Sequence, residues 1–228
     1  MKIGIIGAME SEVTFLRDQM ENSTTEKVGL AVFYQGTLYG RDVILSQCGI
    51  GKIHAAMCAQ AMILRYAPDM IVNIGVAGAL DDMLDIGDIV IGNFSVQHDI
   101  DTCAFGDPAG CVPGINVVEL PCDEKIVKAM TQACAEEQLN GMCAGIATGD
   151  QFIAALDKKN WIRETFGAAA CDMEGGAIAQ VCCEMHVPYG AYRAISDTLK
   201  GNENEYSENV AVAALSSQKL LRAFFARL

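Results

Sequence analysis

Several kinds of residue and pattern are scarce in this chain of 228 residues. It has 16 basic residues against 29 acidic ones, a formal net charge of −13, and only three histidines and five prolines. The deficit of positive charge argues against a protein that grips nucleic acid phosphates or an anionic membrane surface, because both call for a basic face. No run approaches the roughly 18 apolar residues that a membrane-spanning helix needs. We therefore expect neither nucleic acid nor a membrane as a partner.

Regularly spaced cysteines are also absent. The chain has ten cysteines but no C-x-x-C pair, and zinc clusters and redox motifs need such close spacing. Most of the cysteines lie in apolar stretches, where a free thiol behaves as a small core hydrophobe. Acidic residues at Glu10 and Glu12 interrupt the N-terminal apolar segment before the core of a signal peptide can form. We expect a reduced, cytoplasmic, soluble protein.

Hydrophobic residues make up 51% of the chain, and they occur in short runs that alternate with helical stretches. Runs without polar alternation are typical of strands buried on both faces of a sheet. The predicted strands are Lys2–Gly7, Met70–Ile74, Asp88–Gly92, Met142–Thr148, Ala168–Met173 and Tyr189–Ser196, with a hairpin of Leu30–Tyr34 and Asp42–Ser46. The predicted helices are Lys52–Tyr66, Asp123–Gln138, Glu174–Met185 and Ser207–Arg227. This alternation predicts an α/β fold with a mainly parallel sheet, and the absence of repeats or linkers predicts one domain over residues 1–228.

Two short motifs deserve a test as ligand sites. Gly49-Ile50-Gly51-Lys52-Ile53 looks like a phosphate loop, but the Walker pattern needs Gly at 46 and Ser or Thr at 53, and the dinucleotide pattern needs Gly at 54. A tight strand-to-helix turn fits better, and it could still bring backbone N–H groups near a ligand. His98-Asp99-x-Asp101 could hold a divalent metal, but a short acidic turn at a strand end is commoner. We expect no metal and no cofactor.

Three acidic residues each follow the end of a predicted strand: Glu12, Glu174 and Asp197. In open α/β sheets, ligands bind at the edge formed by the carboxyl ends of the strands. Each acid alone would more often be a helix cap or a solvated side chain, but three on one edge, with Arg193 close by in sequence, indicate a site. Carboxyl groups crowded in a partly apolar cleft have raised pKa values, so one of them can act as a general acid near neutral pH.

Ordered motifs along nearly the whole chain carry a family resemblance. They are Gly4-Ile5-Ile6-Gly7-Ala8-Met9-Glu10-x-Glu12, Asn73-Ile74-Gly75-Val76-Ala77-Gly78, His98-Asp99-x-Asp101-x-x-Ala104-Phe105-Gly106, Gly145-x-x-x-Gly149-Asp150-x-Phe152-Ile153, Asp172-Met173-Glu174 and Arg193-Ala194-Ile195-Ser196-Asp197. In order and spacing they resemble the bacterial methylthioadenosine/S-adenosylhomocysteine nucleosidases. The resemblance implies a nucleoside phosphorylase-like, three-layer α/β/α fold with a mixed central sheet, and a homodimer. It also implies hydrolysis of the N-glycosidic bond of those two nucleosides, with 5′-deoxyadenosine as a further candidate substrate.

The same resemblance implies roles for the acids and their neighbours. Asp197 would protonate the leaving purine, Glu12 would activate the attacking water, and Glu174 would bind the ribose hydroxyls. Such acid–base assistance contributes on the order of 10²–10⁴ in rate. Arg193 and Ser196 would orient the acids.

The remaining residues carried over from the family would shape the substrate pocket. Phe152 would stack on adenine, and the backbone of Ile153 would read the hydrogen-bonding edge of the base. Some relatives have serine where Val76 stands, and Tyr206 is the candidate aromatic lid. Residues implied to line the ribose and alkylthio region are Ala8, Met9, Ile50, Val76, Gly78 and Met173. Phe105 and Pro113, on the long loop Asp99–Pro121, would reach the neighbouring subunit's site.

Three other functions compete with this one. A purine nucleoside phosphorylase shares the fold but uses phosphate as the nucleophile. Phosphate binding calls for clustered arginines or a nest of N–H groups. Only Arg193 lies in the motifs placed at the cleft, and the charge of Glu12 would repel the phosphate anion. An aminodeoxyfutalosine nucleosidase would use the same acids. A nucleoside-binding sensor would need no pair of acids such as Glu12 and Asp197.

Overall fold

A computed structural model describes residues 1–29 and 31–228, and in those residues the chain forms one sheet of eleven strands and six α-helices. The strands are β1 Lys2–Gly7, β2 Glu21–Val28, β3 Ala31–Leu38, β4 Arg41–Gln47, β5 Met70–Asn73, β6 Val76–Ala79, β7 Ile89–Gln97, β8 Leu120–Pro121, β9 Gly141–Thr148, β10 Ala168–Asp172 and β11 Tyr189–Asp197. The helices are α1 Glu10–Asp18, α2 Lys52–Tyr66, α3 Glu124–Glu136, α4 Leu156–Phe166, α5 Gly175–Glu184 and α6 Glu203–Phe225.

The sheet is mixed, and part of it closes on itself. Its order is β2-β3-β4-β1-β5-β11-β6-β10-β9-β7-β8, and β11 also pairs with β7. The strands β11, β6, β10, β9 and β7 therefore form a closed ring. Among the described strands, six pairings are parallel and five are antiparallel. The α/β class is confirmed. Parallel pairings outnumber antiparallel ones by only one, because the β2–β3–β4 meander and the ring add antiparallel pairs.

Helices cover both faces of the sheet and enclose two main cores. On one face α2 and α5 pack together, with Met62 and Ile178 fully buried between helix and sheet. On the other face α3 and α6 pack together beside α1, around side chains such as Met130 and Phe224. The three predicted layers are thus present. None of the helices in the described residues is both long and apolar enough to cross a membrane.

Local signals explain where the helices begin and end. The carboxylate of Asp123 accepts hydrogen bonds from the N–H groups of Lys125 and Ile126, which caps the start of α3. Helix α2 spans the predicted Lys52–Tyr66 and ends because Ala67 takes a left-handed conformation ahead of Pro68.

The predicted strands and helices are all present, with shifted ends for most. Strand β7 runs on to Gln97, five residues beyond the predicted end, through a register shift after Gly92. The predicted hairpin is formed by β3 and β4, although its first predicted residue, Leu30, lies outside the described residues. Four longer elements were not predicted: α1, β2, β6 and α4.

Candidate active site

A cavity of about 240 Å³ opens at the carboxyl ends of β1, β10 and β11, where the three acids were predicted to meet. Glu12, Glu174 and Asp197 all line it, and each is at most 9% exposed. Its size suits a single small molecule rather than a polymer. The full lining is Ala8, Met9, Glu12, Ile50, Val76, Ala77, Gly78, Gln151, Phe152, Ile153, Cys171, Asp172, Met173, Glu174, Ser196, Asp197 and Tyr206.

Most of the residues predicted for the site are in this lining, and three are not. Arg193 is fully buried behind the cavity, while Phe105 and Pro113 are exposed on the long loop. The lining adds four residues that the sequence did not single out: Ala77, Gln151, Cys171 and Asp172. Three of these, Ala77, Gln151 and Asp172, lie inside the family motifs named above, next to predicted site residues. Their place in those motifs could therefore have identified them.

Glu12 lies in the first turn of α1, folded back over the end of β1. Its Oε2 accepts hydrogen bonds from the N–H groups of Ala8 at 2.7 Å and Met9 at 3.0 Å, and its Oε1 accepts one from Val76 at 3.0 Å. Burial raises the pKa of this carboxyl, and these three backbone donors and the charge of Arg193 offset only part of the rise. The geometry thus fixes the position of a carboxyl group that holds a proton more readily than a solvated one does.

Glu174 lies between β10 and α5 and meets the turn that leads into α2. The N–H of Gly51 donates to its Oε1 at 2.7 Å. Gly49 and Gly51 have φ values of 90° and 98°, which confirms the predicted tight turn and explains its glycines. Burial, followed by repulsion from the charge of Asp172, raises the pKa of Glu174 to about 7.

Asp197 ends β11, and both of its carboxylate oxygens have partners. The hydroxyl oxygen of Ser196 lies within hydrogen-bond distance of Oδ1, at 2.9 Å. The ammonium of Lys159 donates to Oδ2 at 3.2 Å, and this lysine side chain is fully buried. Sequence reasoning missed Lys159, because an isolated lysine in a polar helix is usually solvated.

The backbone of β6 and of the residue just before it passes so close to two of the acids that side chains would not fit. A Cβ added at Gly75 would lie 2.6 Å from Oε1 of Glu12, and one at Gly78 would lie 2.8 Å from Oδ2 of Asp197. Glycine therefore allows the backbone to approach both carboxylates.

Arg193 forms an ion pair with a fourth acid rather than with any of the three predicted ones. Its guanidinium donates to the carboxylate of Asp172 and to the side-chain oxygen of Asn73. Asp172 in turn accepts a hydrogen bond from the N–H of Gly175 at 3.0 Å, at the start of α5. Arg193 therefore acts on Glu12 and Glu174 through space. Burial raises the pKa of both carboxyls, and the positive charge of Arg193 offsets part of that rise.

Aromatic and thioether groups form the opposite wall. The rings of Phe152 and Tyr206 meet edge to face at 5.7 Å between centroids. The hydroxyl of Tyr206 donates to Sδ of Met9 at 3.2 Å. Tyr206 therefore contacts both Phe152 and Met9 on this wall of the cavity.

In the acidic turn after β7, the carboxylate of Asp99 is hydrogen-bonded to other residues of the protein. The carboxylate of Asp99 accepts hydrogen bonds from Nζ of Lys52 at 2.6 Å and from the N–H of Asp150 at 2.9 Å. In the described part of the chain, no group of three or more potential metal ligands comes together.

Comparisons with known proteins agree with this geometry. Residues 2–226 match the family model of the phosphorylase superfamily. The chain is 40% identical over 232 residues to a 5′-methylthioadenosine/S-adenosylhomocysteine nucleosidase of Tolumonas auensis, with all of both chains covered. It is 38% identical over 223 residues to that of Staphylococcus haemolyticus, with 97% of each covered.

Solved structures share the fold over the whole of this chain. A nucleosidase of this name from Colwellia psychrerythraea, in complex with adenine, matches with a TM-score of 0.94 and 34% identity over all of this chain and 96% of that one. Futalosine hydrolase of Helicobacter pylori matches with a TM-score of 0.94 and 30% identity over all of this chain and 98% of that one. The resemblance seen in the sequence is therefore confirmed, and this chain belongs to the phosphorylase superfamily and, within it, to the methylthioadenosine/S-adenosylhomocysteine nucleosidase family.

Proposed function

We propose that this protein hydrolyses the N-glycosidic bond of methylthioadenosine and S-adenosylhomocysteine, giving adenine and the corresponding thioribose sugar. The observation that carries the proposal is that Glu12, Glu174 and Asp197 converge on one cavity with an apolar wall. Family membership supports the same reaction. We also propose 5′-deoxyadenosine as a substrate, and a cytoplasmic role in methionine salvage.

The reaction divides between two of the acids. The bond between the sugar's anomeric carbon and the purine breaks, and its electron pair stays with the purine. Asp197 donates its proton to a ring nitrogen of the leaving base, which relieves that negative charge. A water oxygen bonds to the anomeric carbon while its proton passes to Glu12. Exchange with solvent then returns the proton to Asp197 and removes it from Glu12.

The environment of Glu12 suits a general base. A base works best when its pKa lies nearer to the operating pH than that of an ordinary carboxyl, and burial raises the pKa of Glu12 in that direction. The three backbone N–H donors hold the carboxylate in one place. Glu174 would clasp the ribose hydroxyls and add negative charge beside the developing oxocarbenium ion.

The other lining residues would read the base and the thioether. Phe152 would stack on adenine beside the backbone of Ile153. The thioether of Met9 would contact the alkylthio group under the lid of Tyr206, since sulfur packs well against polarizable neighbours. Ala8, Ile50, Val76, Gly78 and Met173 would complete the sugar end of the pocket.

The decisive experiment is to follow adenine release from methylthioadenosine by ultraviolet absorbance in a phosphate-free buffer. A hydrolase will release adenine and free methylthioribose there. Adenine release that requires phosphate and gives a sugar phosphate would indicate a phosphorylase, and binding without release would indicate a sensor. Aminodeoxyfutalosine belongs in the same assay because one solved relative is named a futalosine hydrolase.

We further propose that the protein acts as a homodimer. Helix α2 exposes Ile53, Met57 and Leu64, and the long loop exposes Phe105 at 89%; a partner would cover such apolar side chains. Phe105 and Pro113 would then reach the partner's cavity.

Subunit mixing tests this arrangement. In a heterodimer of Asp197→Asn and Phe105→Ala subunits, one site has an intact Asp197 and receives an unchanged Phe105. Activity of the mixture well above that of either variant alone would support the shared site. A monomer in analytical ultracentrifugation, or no gain on mixing, would contradict it.

A further inference from the structure

Lys159 lies where helix α4 otherwise buries apolar side chains. The helix buries Lys159, Ile162 and Phe166, which share one face through their spacing of three and four residues. The lysine side chain is completely buried. An ammonium is strongly destabilised away from water unless it is paired and hydrogen-bonded, so a lysine at such a position needs a specific partner.

That partner is the acid at the end of β11. Nζ of Lys159 donates to Oδ2 of Asp197 at 3.2 Å, to the carbonyl oxygen of Thr198 at 2.9 Å and to that of Gly201 at 3.2 Å. An ammonium has three N–H donors and no acceptor, so all three are used. The contacts lie on Asp197 and on the turn between β11 and α6.

We infer that Lys159 is a positioning residue for the proton donor Asp197, a role that rests on the proposed function. Asp197 is only 2% exposed, so the carboxylate that remains after proton donation is nearly cut off from water. The ammonium stabilises that carboxylate, and thereby favours passing the proton to the purine.

The contacts also bear on which carboxyl oxygen carries the proton. Lys159 can only donate, so Oδ2 serves as its acceptor, and this contact favours Oδ1 as the oxygen that carries the proton. The hydroxyl of Ser196 lies 2.9 Å from that oxygen and 3.2 Å from the carbonyl oxygen of Ala77. With its single hydrogen turned toward Ala77, the hydroxyl can accept the Oδ1 proton until a purine nitrogen takes its place.

The test compares two substrates that differ in their need for a proton on the leaving group. Methylthioadenosine needs one. A 4-nitrophenyl riboside with the same methylthio sugar does not, because nitrophenolate is a stable anion. The substitution is Lys159→Met, which removes the ammonium and keeps most of the chain length. Lys158→Met is the matched control: its Nζ lies over the ring of Trp161, 3.8 Å from the centroid.

We expect Lys159→Met to lower kcat for methylthioadenosine by about 10- to 100-fold, part of the range for general acid catalysis, and to change kcat for the nitrophenyl riboside less than about threefold. The ratio of kcat for methylthioadenosine to kcat for the nitrophenyl riboside should therefore fall in Lys159→Met. Asp197→Asn should lower this ratio as well, and Lys158→Met should leave it unchanged. Equal losses on both substrates, or no loss on either, would overturn the inference.

Two features keep this test decisive. The ratio of the two activities within one preparation does not depend on the fraction of protein that is folded. If Lys159→Met yields no folded protein by circular dichroism, Lys159→Gln is read by the same ratio, because its amide retains donors for the turn but has no charge. Failure of the wild-type protein to release adenine would refute the proposed function, whereas adenine release with an unchanged ratio would refute only the role of Lys159.

Discussion

Replacing Glu174 by glutamine should remove part of the pH dependence of stability. As the pH rises from 5.5 to 8, the free energy of unfolding of the Glu174→Gln variant should increase relative to that of the wild type. The pKa of Glu174 is raised from 4.5 to about 7, first by burial and then by the charge of Asp172. The folded state therefore keeps this proton over a range in which the unfolded chain has lost it. The stability that Glu174 contributes is complete below pH 4.5 and is lost as the pH rises through 7.

The size of the effect follows from the shift. One pKa unit corresponds to about 1.4 kcal/mol, so the full shift is worth up to about 3 kcal/mol. Between pH 5.5 and 8, which avoids the isoelectric point near 4.5, the wild type should lose about 2 kcal/mol that the Glu174→Gln variant does not lose. Glutamine still offers an oxygen to the N–H of Gly51, so the hydrogen-bond pattern is retained.

Urea unfolding, followed by circular dichroism at one protein concentration, measures the difference. Glu164→Gln, at an exposed position on α4, controls for removal of a carboxylate without burial. The free energies of unfolding of wild type and Glu174→Gln should diverge with rising pH, while those of wild type and Glu164→Gln stay parallel. Parallel behaviour of Glu174→Gln would refute the raised pKa and the crowding of charge on which it depends.

Three further predictions concern turnover. Asp197→Asn and Glu12→Gln should each lower kcat by about 10²- to 10⁴-fold without changing the circular dichroism spectrum, and substantial residual activity would refute the assigned roles. Glu12 must be ionised to accept a proton, and its pKa is raised. In a plot of kcat/KM against pH, activity should therefore fall on the acid side with a midpoint above pH 4.5, and a midpoint at or below 4.5 would contradict this. Gly78→Ala should lower kcat by roughly 100-fold, since the added Cβ would lie 2.8 Å from Oδ2 of Asp197, and an unchanged kcat would mean that the acid tolerates displacement.

Continuous apolar runs made much of the fold predictable. Strand β1 and helix α2 have the predicted bounds, because in both the apolar residues themselves mark the element. Helix α1 was missed since only Val13 and Leu16 of its apolar residues are buried. Strand β2 was missed since it is a polar edge strand that exposes most of its side chains.

Helix α4 shows why the site was only partly predictable. Its buried face contains Lys159 at a position where an apolar side chain would have completed the helical pattern. This lysine interrupts the apolar pattern by which the helix could have been predicted, and it is also the residue that pairs with Asp197. The three acids were predictable because they lie at or just beyond the ends of apolar strands. The pairing of Arg193 with Asp172 was not, because it depends on long-range packing that no local pattern encodes.

The closed ring of strands has a consequence for the mobility of Asp197. Strand β11 pairs with β5, β6 and β7, so its amide groups are protected by three neighbours and should be among the last to exchange with deuterium. Phe152 and Tyr206 come instead from a loop and from the first turn of a helix. We therefore expect Asp197, at the end of this strand, to be held more rigidly than the aromatic wall formed by Phe152 and Tyr206.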